Sequence, residues 1–133
     1  MFNPKLIELA QGMIAANAAG AEATQTFVTE HYADDVVSVE ALDMAPDAEA
    51  GGGREAHGKD AIFAKHAWWD SAFETHDTST EGPFLHGDDQ FTLVFSLDAT
   101  NKATGERNKM REVGLYTVRD GKIAREEFFY ALD

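Results

Sequence analysis

Residues 90–132, QFTLVFSLDATNKATGERNKMREVGLYTVRDGKIAREEFFYAL, read as three consecutive strands joined by two hairpin connections, and they decide the fold. Phe91, Leu93, Phe95 and Leu97 alternate with Thr92, Val94, Ser96 and Asp98, the period-two pattern of a sheet with one apolar face. Asn101 to Gly105 is a hairpin connection, Arg107 to Arg119 a long strand, Asp120-Gly121 a tight turn, and Lys122 to Leu132 the last strand. Upstream, Thr75 to Leu85 supplies another strand, ending near Gly82-Pro83. Four successive antiparallel strands thus fill the second half of the chain.

The first half is mostly helical. Asn3 as N-cap and Pro4 at the first helical position start a helix that carries Leu6, Ile7, Ala10, Met13, Ile14 and Asn17 at helical spacing, and Gly20 ends it. A second helix, Ala21 to Tyr32, turns Ala23, Phe27, Val28 and Tyr32 toward a core. Asp34-Asp35 breaks it and launches a strand from Val36 to Leu42. Asp43 to Gly58, with Pro46 and Gly51-Gly52-Gly53, has the composition of a surface loop or of a flap over a pocket. Lys59 to Phe73 is helical again, with Ile62, His66, Trp69 and Phe73 on one stripe. Helices followed by a run of strands make one domain, residues 1–133, of α+β class.

Composition bounds the function. A chain of 133 residues with 44% hydrophobic residues buries a core without cross-links. It carries 11 Lys plus Arg against 24 Asp plus Glu, a net charge of −13 that repels nucleic acid and anionic membranes. No cysteine is present, so disulfides and thiolate chemistry are excluded, and the N-terminal residues lack the pattern of a signal peptide. A cytoplasmic location is the expectation. The five histidines include no pair at three- or four-residue spacing, and nucleophile-elbow, Walker and dinucleotide motifs are missing. No metal and no cofactor is expected.

Four motifs in order resemble the family that includes nuclear transport factor 2 and the SnoaL-type polyketide cyclases. Tyr32-Ala33-Asp34-Asp35-Val36 is similar to its helix-to-strand junction, and Gly58-Lys59-Asp60-Ala61-Ile62 to the opening of its third helix. Thr104-Gly105-Glu106 and the stretch Tyr116 to Ile123, with its Asp-Gly-Lys-Ile turn, resemble its final hairpin. The resemblance implies a cystatin-like cone: three helices packed in a strongly curved mixed or antiparallel sheet that encloses an apolar pocket. It also implies a homodimer through the outer face of the sheet. Function is not implied, because this fold hosts isomerases, dehydratases, cyclases and binding proteins.

Glu40 follows Asp35 by the interval that in ketosteroid isomerases separates the junction from the catalytic base, and it shares a face with Val36, Ser38 and Leu42. A carboxylate there can abstract a proton beside a carbonyl. The first helix has no tyrosine, and Val113-Gly114 stands where a late-strand aspartate is expected, so the isomerase oxyanion hole is not reproduced. His66 is an inward-facing acid or base, or a core residue; Trp69 and Phe73 on its stripe are pocket walls. Glu112, Gly114, Tyr116 and Val118 share one strand face, and Glu126, Phe128 and Tyr130 another. Either set suits a cavity or a dimer surface. Phe91 and Phe95 belong to the cavity-facing set.

The expected function is therefore a cofactor-independent isomerase, cyclase or dehydratase acting on a hydrophobic cyclic or polyketide-like molecule. Glu40, His66, Tyr116 and Glu126 are its catalytic candidates, and Trp69, Phe73, Phe91, Phe95, Phe128 and Tyr130 its substrate contacts. The alternatives are a non-catalytic binding or dimerisation module, or a core filled by Trp68, Trp69, Phe84 and Phe128.

Overall fold

The computed structural model describes residues 3–43 and 53–131. Helix α1 (Pro4–Ala19) starts as the sequence predicts, with the Asn3 side chain accepting the Lys5 N–H at 3.0 Å and Pro4 in the first turn. It buries Leu6, Leu9, Ala10 and Met13. Gly20, at φ 117°, turns the chain into α2 (Ala21–His31), which buries Phe27 and Val28. The strand β1 (Tyr32–Val39) begins four residues earlier than expected. Asp34 and Asp35 do not break the backbone. They sit in an irregular stretch of β1 and point outward, toward Lys59 and Arg119.

A short strand β2 (Glu55–His57) falls inside the segment expected to be loop, and pairs antiparallel with β1. The rest of the Gly51-Gly53 run lies outside the described residues apart from Gly53. After α3 (Lys59–Ala72) come β3 (Phe73–His86), β4 (Gln90–Asn101), β5 (Arg107–Arg119) and β6 (Lys122–Phe129). β3 runs on through Gly82-Pro83 rather than ending there, with an irregular register between Glu81 and Phe84. A proline is tolerated because β3 is an edge strand, where one side of the backbone needs no partner. Asp120 and Gly121, both at positive φ, make the two-residue turn between β5 and β6.

The six strands form one open sheet in the order β2-β1-β6-β5-β4-β3. All neighbours are antiparallel except β1 and β6, which pair in parallel, so the sheet is mixed. Three helices cover one face. Phe91, Leu93 and Phe95 of β4 are buried as their alternation predicts, and meet Leu6, Leu9, Met13, Val28 and Ile62 from the helices, whereas Leu97, expected on the same face, is only half-buried. This is the α+β cone expected above.

One irregularity positions the interior chemistry. Thr117 pairs with Arg125 but Val118 pairs with Ile123, leaving Ala124 as an extra residue in β6. Ile123, fully buried, and Glu126, 3% exposed, therefore face the same interior although three positions apart.

Candidate functional site

Three strands and one helix deliver polar side chains to the interior of the cone. From β1 come Tyr32 and Ser38, with Glu40 following; from β5, Glu112 and Tyr116; from β6, Glu126, with Tyr130 just beyond; from α3, Lys65 and His66. The chain folds this way because Ser38 and Glu40 keep the parity of Val36, which is fully buried.

Six of these groups form one continuous hydrogen-bonded chain. The Tyr32 hydroxyl donates to Glu126 Oε2 at 2.7 Å, and the Ser38 hydroxyl donates to Glu126 Oε1 at 2.9 Å. Lys65 Nζ donates to Ser38 Oγ at 2.7 Å and lies 2.5 Å from Glu40 Oε1. The Tyr130 hydroxyl donates to Glu40 Oε2 at 2.9 Å. The ammonium also sits 5.2 Å from the centroid of the Phe128 ring. Within this chain both carboxylates have a donor on each oxygen. Burial and the Glu126 charge raise the Tyr32 phenol well above its ordinary range; burial and the Glu40 hydrogen bond raise Tyr130.

Three further groups differ. The Glu112 carboxyl makes no hydrogen bond or ion pair among the described residues; burial, helped by the Glu40 and Glu126 charges and opposed by Lys65, pushes it up to about 7. The Tyr116 hydroxyl likewise has no hydrogen-bond partner among them, although the residue is 2% exposed. Burial first, then the Glu126 charge, raises its phenol well above normal. His66 Nδ1 is buried without a partner among the described residues, and burial lowers its ring below the ordinary value. Buried polar groups are almost always satisfied, so the shielded His66 Nδ1, with the half-buried Glu112 carboxyl and the Tyr116 hydroxyl beside it, calls for an explanation.

Gly114 makes room for one of them. A Cβ there would lie 2.9 Å from the Tyr116 hydroxyl and 3.1 Å from Phe95, so glycine lets the phenol fold back along its own strand. Phe91 stacks on the other side of the Tyr116 ring at 5.0 Å, and Phe128 meets it edge-on at 6.2 Å.

The structure thus brings together Glu40, His66, Tyr116, Glu126, Phe128 and Tyr130. Phe91 is fully buried within the main core, and Phe95 borders the Tyr116 niche. Trp69 and Phe73 stack at 4.2 Å one turn further along α3. Sequence reasoning did not assign Lys65, Ser38 or Glu112 to the site. The signals were present: Ser38 shares parity with Glu40, Glu112 with Tyr116, and Lys65 is three residues after buried Ile62 and four before Trp69. Two open surface concavities, about 300 Å³ beside Asp34, Asp35 and Arg119 and about 400 Å³ on the outer sheet face at Ser79, Ser96 and Arg111, share no residue with this cluster.

A SnoaL-like domain model matches residues 14–130, nearly the whole fold. The chain belongs to the SnoaL-like family. Among solved structures it is similar to a candidate SnoaL-like polyketide cyclase from Mesorhizobium loti, 41% identical over 94% of this chain and 98% of that one, with a TM-score of 0.77. An NTF2-like protein from Burkholderia pseudomallei shares the fold at 16% identity, covering 96% and 91% of the two chains, with a TM-score of 0.76. A candidate polyketide cyclase from Pseudomonas putida does so at 18%, covering 94% and 90%, with a TM-score of 0.68. No curated protein matches the chain. No helix among the described residues is long and apolar enough to cross a membrane.

Proposed function

We propose that this SnoaL-like chain is a cofactor-independent acid–base catalyst acting on a hydrophobic, cyclic or polyketide-like carbonyl compound. The observation that carries the reading is that Glu112, Tyr116 and His66 make no hydrogen bond among the described residues, although they lie beside a network in which both carboxylates are satisfied. Groups left free beside a satisfied network are what a ligand would engage.

The roles follow from their chemistry. Glu112, poised to about 7, is balanced between taking and returning a proton near neutral pH. Tyr116, held neutral, donates its hydroxyl to a substrate oxygen as that oxygen gains charge. Glu40 was the base expected from the sequence, but each of its oxygens already has a donor, so proton transfer falls to Glu112. His66, kept neutral, offers a second acceptor or donor. Phe128, Trp69 and Phe73 supply apolar surface for the body of the substrate. The Mesorhizobium relative is described both as a polyketide cyclase and as a carbohydrate phosphatase. Only the first fits a site whose free groups are a carboxyl, a phenol and a neutral imidazole.

The test is deuterium exchange from heavy water into the α-carbons of cyclic ketones and 1,3-diketones, followed by NMR. The protein should accelerate exchange of at least one compound, and Glu112→Gln should cut that acceleration about a hundredfold or more. Exchange that survives both Glu112→Gln and Tyr116→Phe would remove the proposal. Ligands that raise the melting point without any exchange would support a binding module instead.

We further propose that a second copy covers the outer face of the sheet. Phe84 and Phe129, 49% and 47% exposed, flank Val94, Val113 and Leu115 there, an apolar strip in registered neighbouring strands. Sedimentation should give the mass of two chains at micromolar concentration, and Phe129→Asp should weaken association at least about tenfold. A wild-type mass of one chain under those conditions counts against the dimer.

A further inference from the structure

We propose that Lys65 is the positioning residue of this site: its ammonium, held between Glu40 and Ser38 above the Phe128 ring, is engaged by Glu40 and leaves Glu112 as the carboxyl that carries the exchangeable proton. The inference deepens the acid–base reading and takes its catalytic meaning from it.

The geometry is specific. An ammonium has three N–H groups. One faces Glu40 Oε1, a second faces Ser38 Oγ, and the Ser38 hydroxyl in turn donates a hydrogen bond to Glu126. Lys65 therefore touches one glutamate directly and reaches a second through a single hydroxyl. It does not hydrogen-bond to Glu112. Among the described residues no other lysine or arginine meets the carboxyl groups of these three glutamates; Arg54 donates only to the main-chain oxygen of Glu40, at 2.8 Å.

Every packed element bears on the balance. β1 presents Tyr32, Ser38 and Glu40; β5 presents Glu112 and Tyr116; β6 and the residues after it present Glu126 and Tyr130; α3 presents Lys65, His66 and Asp70. With His66 neutral, one cation serves three carboxyl groups. It touches Glu40 directly and reaches Glu126 through Ser38, so Glu112, which it does not touch, is the one that keeps a proton. A lysine placed on a helix, with its stem 27% exposed, sets this order without itself entering the reaction.

The experiment needs no substrate. The glutamate side-chain carboxyl carbons are labelled with carbon-13, and their NMR titrations are followed in the wild type, Lys65→Met and Lys65→Arg, with Glu112 assigned through Glu112→Gln. The wild-type Glu112 midpoint is expected at about 7. Loss of the Lys65 charge, which opposes the rise, should take it to about 8 or higher in Lys65→Met, and Lys65→Arg should bring it back toward the wild-type value. An unmoved midpoint in a Lys65→Met protein that keeps its far-ultraviolet spectrum and a cooperative melt overturns the proposal. If the Met variant does not fold, Lys65→Gln removes the charge while keeping a donor, and the same criterion decides. Because the readout is a titration, its failure is separate from a failure of the deuterium-exchange test.

Discussion

Replacing Glu126 by alanine is expected to cost the folded chain about 3 to 5 kcal/mol, read from urea unfolding at pH 7. The side chain is 3% exposed and receives the hydroxyls of Tyr32 and Ser38. Burying the carboxylate is itself unfavourable, so the loss does not measure a favourable charge. It measures what remains: two buried hydroxyls without an acceptor, and a gap between β1 and β6. That origin makes a sharper prediction. Tyr32→Phe should be costly in the wild type and nearly free in the Glu126→Ala background, because the hydroxyl then has nothing to lose. Converting all three positions together, Tyr32→Phe, Ser38→Ala and Glu126→Leu, should recover most of the stability. Equal costs for Tyr32→Phe in the two backgrounds would show that the hydroxyl and the carboxylate are not energetically linked.

Glu112→Gln should do the opposite and stabilise the chain at alkaline pH. A carboxyl raised from 4.5 to about 7 on folding keeps its proton in the folded chain while the unfolded chain releases it. Its contribution to stability is complete below about pH 4.5 and falls as pH rises through about 7. The full difference is about 3 kcal/mol. At pH 8 the folded wild type carries an unpartnered, half-buried anion that the glutamine variant lacks. The variant should be more stable there by an amount of that order, and close to the wild type at pH 5. His66 pulls the other way: burial lowers it from 6.5, so its contribution is complete above that value and is lost as pH falls. Both proteins share His66, so the difference between them isolates Glu112. A stability gap of the same size at pH 5 and pH 8 would mean that the effect is packing rather than charge.

These two glutamates also show where sequence reading ends. Local features were legible because their causes are local. Asn3-Pro4 caps α1, Asp120-Gly121 turns the last hairpin, and the alternation from Phe91 to Phe95 fixes the inner face of β4. The parallel pairing of β1 with β6 was not legible, since no periodicity records which distant strand a segment adopts. β2 was hidden in a glycine-rich stretch, because a three-residue strand has too few positions to show alternation. Alternation in β6 separated Glu126 from Arg125 and Glu127 but could not say which face was interior. That depended on the extra residue Ala124 and on the path of β1. Lys65 escaped notice for a different reason. A lysine on a helix reads as a solvent contact, and only the three-dimensional meeting of α3 with the end of β1 turns it inward. Glu40 and Glu126, named from sequence, are linked in the fold through a cation and a hydroxyl, Lys65 and Ser38, that the sequence did not single out.

The strand order has a consequence for how the protein assembles. β6, the most C-terminal strand, lies between β1 and β5, and the Ser38–Glu126 contact spans 88 residues. The β3–β4–β5 meander can form from neighbours in the chain, but β1 and β2 have no place in the sheet until β6 arrives. Closing so long a loop is entropically expensive and slows folding in proportion to its non-local contacts. The junction of β1 with β6 is also where Tyr32, Ser38 and Glu126 meet. A chain that held only the meander would keep Tyr32 and Ser38 apart from Glu126, so the hydrogen-bonded interior requires the two ends of the chain to be joined.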